Sequence, residues 1–271
     1  MVEKADKLFF RETVKKDIMT LKHIADIIVT LAVWTYYIAG FLIFFSPLYF
    51  ISYIFSKNLE KSWQKLNHLF LKSFFGLVKF ITPGLSYKIE NKVLALRSSI
   101  IVSNHISYLD PIFLVSLYEK QKTVVKSVFF KVPVFGWILK TSGYIPSTTG
   151  GDFDLLMIRH FEAMESYLES GGNLFIFPEG TRSRSGNIGQ FSKGAFKIAR
   201  KCKAPIQVLF IKNTDRLYRP DKFWFNTCVP NTISVELIAS IEPDYDSKDF
   251  SISNLMEHVR SLMQQRYENE R

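Results

Sequence analysis

Cysteine is almost missing from this sequence: Cys202 and Cys228 are the only two in 271 residues. They form no C-x-x-C and no Cys/His ligand spacing, which argues against structural zinc and against a disulfide framework and points to the cytosol. No G-x-S-x-G stretch is present, so the serine elbow of an α/β hydrolase is absent. There is no internal repeat and no low-complexity segment. Acidic residues are outnumbered, 25 against 35 Lys and Arg, leaving a formal charge of +10. Such an excess suits an anionic partner: a lipid surface, a phosphorylated substrate or nucleic acid. The positive charge is scattered, however, and the aromatics cluster in an apolar segment, which favours lipid and argues against nucleic acid.

That segment is itself an absence. Ile27 to Ser56 is thirty residues without one charge. A membrane span needs about 20 apolar residues, so this run is long enough to cross. Pro47 is expected to divide it into Ile27–Ser46 and a shorter Leu48–Phe55. Trp34, Tyr36, Tyr37, Tyr49 and Tyr53 suit a membrane interface. Residues 1–26 carry both signs of charge and form an amphipathic segment. The apolar stretch follows too late for a cleaved secretory signal, so it reads as a retained anchor. Lys22 precedes the run and Lys57, Lys61 and Lys65 follow it, so basic flanks do not decide its orientation. A single span and a hairpin dipping into one leaflet both fit. Next, Trp63, Leu66, Phe70, Phe74, Leu77 and Ile81 follow helical spacing, with Lys65, Lys72 and Lys79 on another face. This helix either lies among lipid headgroups or is an ordinary core helix. Residues 27–82 are thus expected to be a helical membrane anchor.

From residue 83 the pattern becomes that of an α/β domain. Strand candidates are Tyr87–Glu90, Ser99–Ser103, Thr123–Val128, Asn173–Phe177, Ile206–Ile211 and Ile233–Ala239. Helices are expected at Asp154–Glu169, Ser192–Lys201 and Ser251–Tyr267. Strands alternating with helices imply a mixed, largely parallel central sheet covered by helices.

Two strand ends carry the chemistry. The first strand stops at Ser103-Asn104-His105, and Asp110-Pro111 then opens a helix, with Asp110 as its expected N-cap. The imidazole of His105 can accept a proton from a hydroxyl. Asp110 can hold the other ring nitrogen. The alternative is a loop histidine beside an ordinary helix cap. The second strand, Leu174–Phe177, runs into Pro178-Glu179-Gly180-Thr181-Arg182-Ser183-Arg184. Arg182 and Arg184 are suited to a phosphate, and Gly180 to close backbone approach. Tyr218 to Trp224 is either a lipid-facing loop or a surface excursion.

The pair Asn104-His105-x4-Asp110 and Phe177-Pro-Glu-Gly-Thr-Arg182 resembles the motifs of the glycerolipid acyltransferase family. The nearest pattern is its 1-acyl-sn-glycerol-3-phosphate (lysophosphatidic acid) acyltransferase branch. Phe191-Ser-Lys193-Gly194-Ala-Phe196 and Ala204-Pro205-Ile206 resemble two further family segments. Two departures stand out. Ser147 occupies the place where the family's second motif usually has an Arg that helps bind the acceptor. In the fourth motif, the second Pro is missing near Leu209.

The resemblance implies an acyl transfer without an acyl-enzyme. His105 would be the base and Asp110 its orienting carboxylate. Asn104, Glu179, Gly180, Thr181, Arg182 and Lys193 would bind substrate. The acyl thioester, on coenzyme A or acyl carrier protein, would be a co-substrate; no metal and no further cofactor are expected. The acceptor would be 1-acyl-sn-glycerol 3-phosphate or, given Ser147, another lysolipid. The partner would be the bilayer, entered by a hairpin, with the catalytic domain on its cytoplasmic side. A non-catalytic lipid-binding protein is the reading from another class.

Overall fold

The computed structural model describes residues 2–147, 163–183 and 187–270, with side chains from residue 19 onward. Strands β1 (Leu85–Ile89), β2 (Ser99–Ser103), β3 (Gln121–Lys126), β4 (Ile145–Ser147), β5 (Asn173–Ile176), β6 (Ile206–Lys212) and β7 (Asn231–Ile241) form one sheet. Their order is β1-β7-β6-β2-β5-β3-β4. Strands β6, β2, β5, β3 and β4 run parallel, whereas β7 is antiparallel to β6 and β1 follows β7. The expected mixed, largely parallel sheet is found. The six anticipated strands are present with ends shifted by a few residues. Strand β4 was not anticipated, because three residues are too few to show a period.

Strand β2 is buried at all five positions. A parallel strand covered on both faces reads as a continuous apolar run, and Ile100, Ile101 and Val102 supply it. Ile101 belongs to one core, with side chains from α3 (Leu59–Ile81) and α5 (Leu109–Leu117). Ile100 and Val102 belong to the other. There they meet α7, described over 163–169, together with α8 (Gly194–Lys201) and α10 (Ile252–Glu268). The remaining short helices are α4 (Asn91–Leu94), α6 (Phe135–Thr141) and α9 (Thr214–Leu217). The earlier part of the helix expected at Asp154–Glu169, with Met157, Ile158 and Phe161, lies outside the described residues.

The N-terminal helical path is α1 (Val2–Thr35), a π-helical stretch (Tyr36–Phe45) and α2 (Ser46–Phe55). Pro47 does not divide it, contrary to expectation. The Ser46 N–H reaches back five residues to the Phe41 carbonyl, and Pro47 falls in the first turn of α2. There its missing N–H costs nothing, and the widened π turn accommodates the ring. Within this path, Met19–Phe55 is long and apolar enough to cross a membrane.

Helix α3 starts at Asn58, whose side chain accepts the Lys61 N–H at 2.9 Å. It runs antiparallel to the preceding helix. The Tyr49 hydroxyl donates to Asn67 Oδ1 at 2.5 Å, and Tyr36 Oη and Ser73 Oγ lie 2.6 Å apart. The hairpin geometry is therefore present, and the aromatic face of α3 packs on the protein. Trp63, Phe70, Phe74, Phe75 and Val78 are buried, and the last four join the core beneath α5. Its outward face carries the lysines together with exposed Leu69 and Phe80. The packing thus joins α3 to the α/β domain, across the division expected at residue 82. Its aromatic stripe fits core and membrane equally well as a pattern; contact with α5 decides between them. Phe74→Ala should accordingly lower stability by about 3–5 kcal/mol, read as a fall in the denaturant midpoint.

A second set of contacts ties α1 to the segment before β7. Asp26 Oδ1 accepts the N–H and the hydroxyl of Thr227, both at 2.7 Å. Thr30 Oγ1 accepts the Phe225 N–H at 2.9 Å. Trp34 stacks on Phe223 with ring centres 6.1 Å apart. Tyr218–Trp224 is therefore packed in part against the apolar helix, while Phe223 and Trp224 keep exposed edges.

Candidate active site

Register places the two motifs together. Strands β2 and β5 pair from Ser99 with Asn173 to Val102 with Ile176. His105 and Glu179 each stand three residues beyond that last pair. The His105 N–H donates to Glu179 Oε1 at 3.2 Å, and the Ser183 N–H donates to the His105 carbonyl at 2.8 Å. Both turns lie at the carboxyl ends of adjacent parallel strands, the usual ligand edge of such a sheet.

Asp110 is wholly buried, and its Oδ2 lies 2.9 Å from His105 Nδ1. The same oxygen accepts the N–H groups of Ile106 and Ser107 at 2.7 Å each. Oδ1 accepts the Thr214 hydroxyl at 2.5 Å. A group that accepts from this many donors is a carboxylate, so Nδ1 carries the imidazole proton. Nε2 is thereby left as the basic nitrogen. His105 stacks on Phe177, with ring centres 4.5 Å apart, and its side chain is 15% exposed. One edge of the ring is thus fixed and the remainder opens to a ligand.

The expected helix start is corrected by two residues, with Tyr108 at the cap position. Helix α5 begins at Leu109, so Asp110 is its second residue and not its N-cap. From there the carboxylate reaches back over the turn to Ile106 and Ser107. Its charge remains favourable within the first helical turn. Ser107 fastens the turn further, its hydroxyl donating to the Tyr218 carbonyl at 3.1 Å.

Arg182 lies with its guanidinium carbon 3.3 Å from the centre of the Tyr108 ring. Its Nη1 is buried and has no hydrogen-bond partner among the described residues. A buried charged donor without a partner is costly unless a ligand supplies one. Arg184 lies outside the described residues. Gly180 holds φ +67°, which favours glycine, and its N–H closes the turn onto the Phe177 carbonyl at 3.1 Å. Gly180 and Thr181 are both exposed beside the site.

Of the expected substrate-binding residues, Asn104 and Glu179 make scaffold contacts, and Lys193 stands apart from them. Asn104 is 2% exposed. Its Nδ2 donates to the Ile211 carbonyl at 2.9 Å and its Oδ1 accepts the Ile211 N–H at 2.7 Å. The amide thus copies a ladder rung onto β6 from a buried position. Glu179 staples two turns together, since its Oε2 also accepts the Gly189 N–H at 2.9 Å. Burial pushes its carboxyl upward, and these backbone donors, from Gly189 and His105, offset part of that rise. Lys193 is exposed at the start of α8, and no hydrogen bond or ion pair among the described residues joins it to His105 or Asp110.

Other contributors escaped the sequence reading. Thr214 meets Asp110 across 104 residues of chain, and no local spacing signals such a partner. Tyr108 lies within the first motif, but its position against Arg182 needs both loops folded.

The family model described as acyltransferase matches residues 85–212, from the first residue of β1 to the last of β6. A chloroplastic 1-acyl-sn-glycerol-3-phosphate acyltransferase of Brassica napus is 35% identical over 162 residues, covering 57% of this chain and 44% of that one. A 1-acyl-sn-glycerol-3-phosphate acyltransferase of Saccharomyces cerevisiae is 29% identical over 197 residues, covering 71% and 63%. The chain thus spans less than two thirds of the length of these relatives. The crystal structure of a 1-acyl-sn-glycerophosphate acyltransferase from Thermotoga maritima shares the fold. Its TM-score is 0.67 at 19% identity, over 91% of this chain and 97% of that one. The span from 85 to 212 that matches the acyltransferase family model carries both motifs and the sheet edge where they meet, and the relatives it resembles are named 1-acyl-sn-glycerol-3-phosphate acyltransferases.

Proposed function

We propose that this chain transfers an acyl group from an acyl thioester to the free hydroxyl of 1-acyl-sn-glycerol 3-phosphate, giving phosphatidic acid. The observation that carries this reading is the 2.9 Å contact between His105 Nδ1 and the buried Asp110 Oδ2, which with Asp110 as a carboxylate leaves Nε2 as the basic nitrogen. Nε2 takes the acceptor's hydroxyl proton as that oxygen attacks the thioester carbonyl. Asp110 stabilises the imidazolium that forms. Collapse of the tetrahedral intermediate expels the thiolate, which takes the proton back from Nε2. No acyl-enzyme is required, since the thioester is already activated. Arg182, with an unpartnered Nη1, receives the acceptor's phosphate.

The donor is acyl-CoA or acyl carrier protein. Both are cytosolic, which puts the catalytic domain on the cytoplasmic side. The apolar helix meets the bilayer through an outer face that exposes Leu42, Ile43, Phe44, Phe50, Ile54 and Phe55. Because its inner face packs on α3, this geometry favours a hairpin seated in one leaflet over a span that leaves the domain behind.

One observation favours a second acceptor. Ser147, opposite Lys126 on β3, brings no charge where the family's second motif has an Arg. Another lysolipid is then the substrate. The test is an acceptor panel with the purified chain, run with both donor types and read by thiol release. Preference for a phosphate monoester is the expected result. Preference for an acceptor lacking one rejects the first reading. Acceptor-independent release of fatty acid rejects acyl transfer altogether.

A further inference from the structure

A second concave site shares no residue with the His105 and Arg182 loops. It is a cleft of about 210 Å³ whose lining includes Lys22, Arg216, Arg219, Asn226 and Asn231, with Val229 as an apolar wall. No acidic residue lines it. Among the described residues none of the three cations makes an ion pair within 4 Å. The nearby acids include Asp26, one turn after Lys22 on α1, whose Oδ1 accepts the Thr227 N–H and hydroxyl, and Asp215, next to Arg216 in sequence. Burial raises the Asp215 carboxyl, as does the neighbouring Asp110, while backbone donors and Arg216 counter that rise.

Two features say what the cleft takes. Asn231 is 6% exposed, and its Oδ1 has no donor among the described residues although its Nδ2 is bonded to the Asn213 carbonyl. An anion bearing a hydroxyl would answer both the cations and this oxygen. Position supplies the second feature. Lys22 precedes the charge-free run by five residues, about 7 Å along a helix. Ile24 and Ile28 are exposed on the same helix, and Phe223 is exposed on the segment packed against it. On the reading that this helix enters the bilayer, the cleft opens at headgroup depth.

We propose that this cleft binds the phosphate of an anionic, hydroxyl-bearing phospholipid headgroup, and so orients the domain on the membrane independently of the acceptor site. Free phosphate esters share that chemistry, and the test separates the two sources. The full chain is floated with vesicles of phosphatidylcholine alone or with a minor fraction of phosphatidylglycerol. A basic side chain near an anionic surface contributes about fivefold in binding. Arg216→Gln with Arg219→Gln should therefore lower the preference for phosphatidylglycerol by about 25-fold. Arg216→Lys with Arg219→Lys should retain it. Attachment to neutral vesicles, and acyl transfer to a detergent-dispersed acceptor, should stay unchanged in both. His105→Ala should keep the full preference, so that failure of the catalytic reading is seen separately.

Three results overturn the proposal. The first is an undiminished preference in the glutamine variant. The second is an equal loss on neutral vesicles, which marks general damage to attachment. The third is release of the protein from anionic vesicles by soluble glycerol 3-phosphate or coenzyme A, which marks a site for free phosphate esters.

Discussion

His105→Ala should reduce acyl transfer by about 10²–10⁴-fold, the usual contribution of a positioned general base. The fold should survive, because the imidazole lies at the rim of the site with its side chain 15% exposed. Circular dichroism and vesicle flotation should match the parent protein. Asp110→Asn acts differently. The parent carboxylate accepts from the N–H groups of Ile106 and Ser107, from the Thr214 hydroxyl and from the imidazole. An amide group there turns one oxygen into a donor facing other donors. Activity should fall by about the same factor as for His105→Ala, and stability should fall as well, by about 1–3 kcal/mol for a buried unsatisfied group. The double variant should lose little more activity than either single one, since the two side chains act as a unit. Near-parental activity in His105→Ala, measured under single turnover, would remove the base from the mechanism.

Arg182→Ala is the second large effect. Each charge-assisted hydrogen bond contributes about 1.5–3 kcal/mol, so two to a phosphate correspond to roughly 10²–10⁴-fold in kcat/KM for the acceptor. The loss should fall on acceptors with a phosphate monoester, with the thioester KM unchanged. Arg182→Lys should recover only part of it. The guanidinium plane lies over Tyr108, and a lysine can reproduce neither that stacking nor the fork of donors. An equal loss for acceptors with and without phosphate would show that Arg182 supports the loop and not the anion.

The reading from residues alone succeeded where one local pattern admits one physical outcome. Ile100–Val102 is a short apolar run with no polar face, and a central parallel strand is the element that buries it on both sides. The charge-free run is helical from Ile27 to Phe55. His105 and Asp110 meet because a turn brings back a residue five positions on, which a continuous helix would not. Patterns compatible with two environments failed to decide. The α3 stripe would suit lipid, yet α5 and the sheet cover it. Pro47 reads as a break, yet a π-helical stretch absorbs it.

Asn104, Glu179 and Arg182 show why motif residues divide into different duties. In the sequence each is a polar residue in a turn that follows a strand. In the fold, the Ile211 backbone takes both ends of the Asn104 amide, and the His105 and Gly189 N–H groups take Glu179. Arg182 keeps a buried nitrogen without a partner. The amino-acid sequence by itself determined the sheet's central strands, the apolar helix and the histidine–aspartate turn, because periodicity, charge and short spacing act within a few residues. Tertiary structure alone decided which polar groups are consumed by the scaffold and which are left for a ligand, because their partners on β6, α9 and the neighbouring turns come from distant parts of the chain and are fixed only by strand order and register.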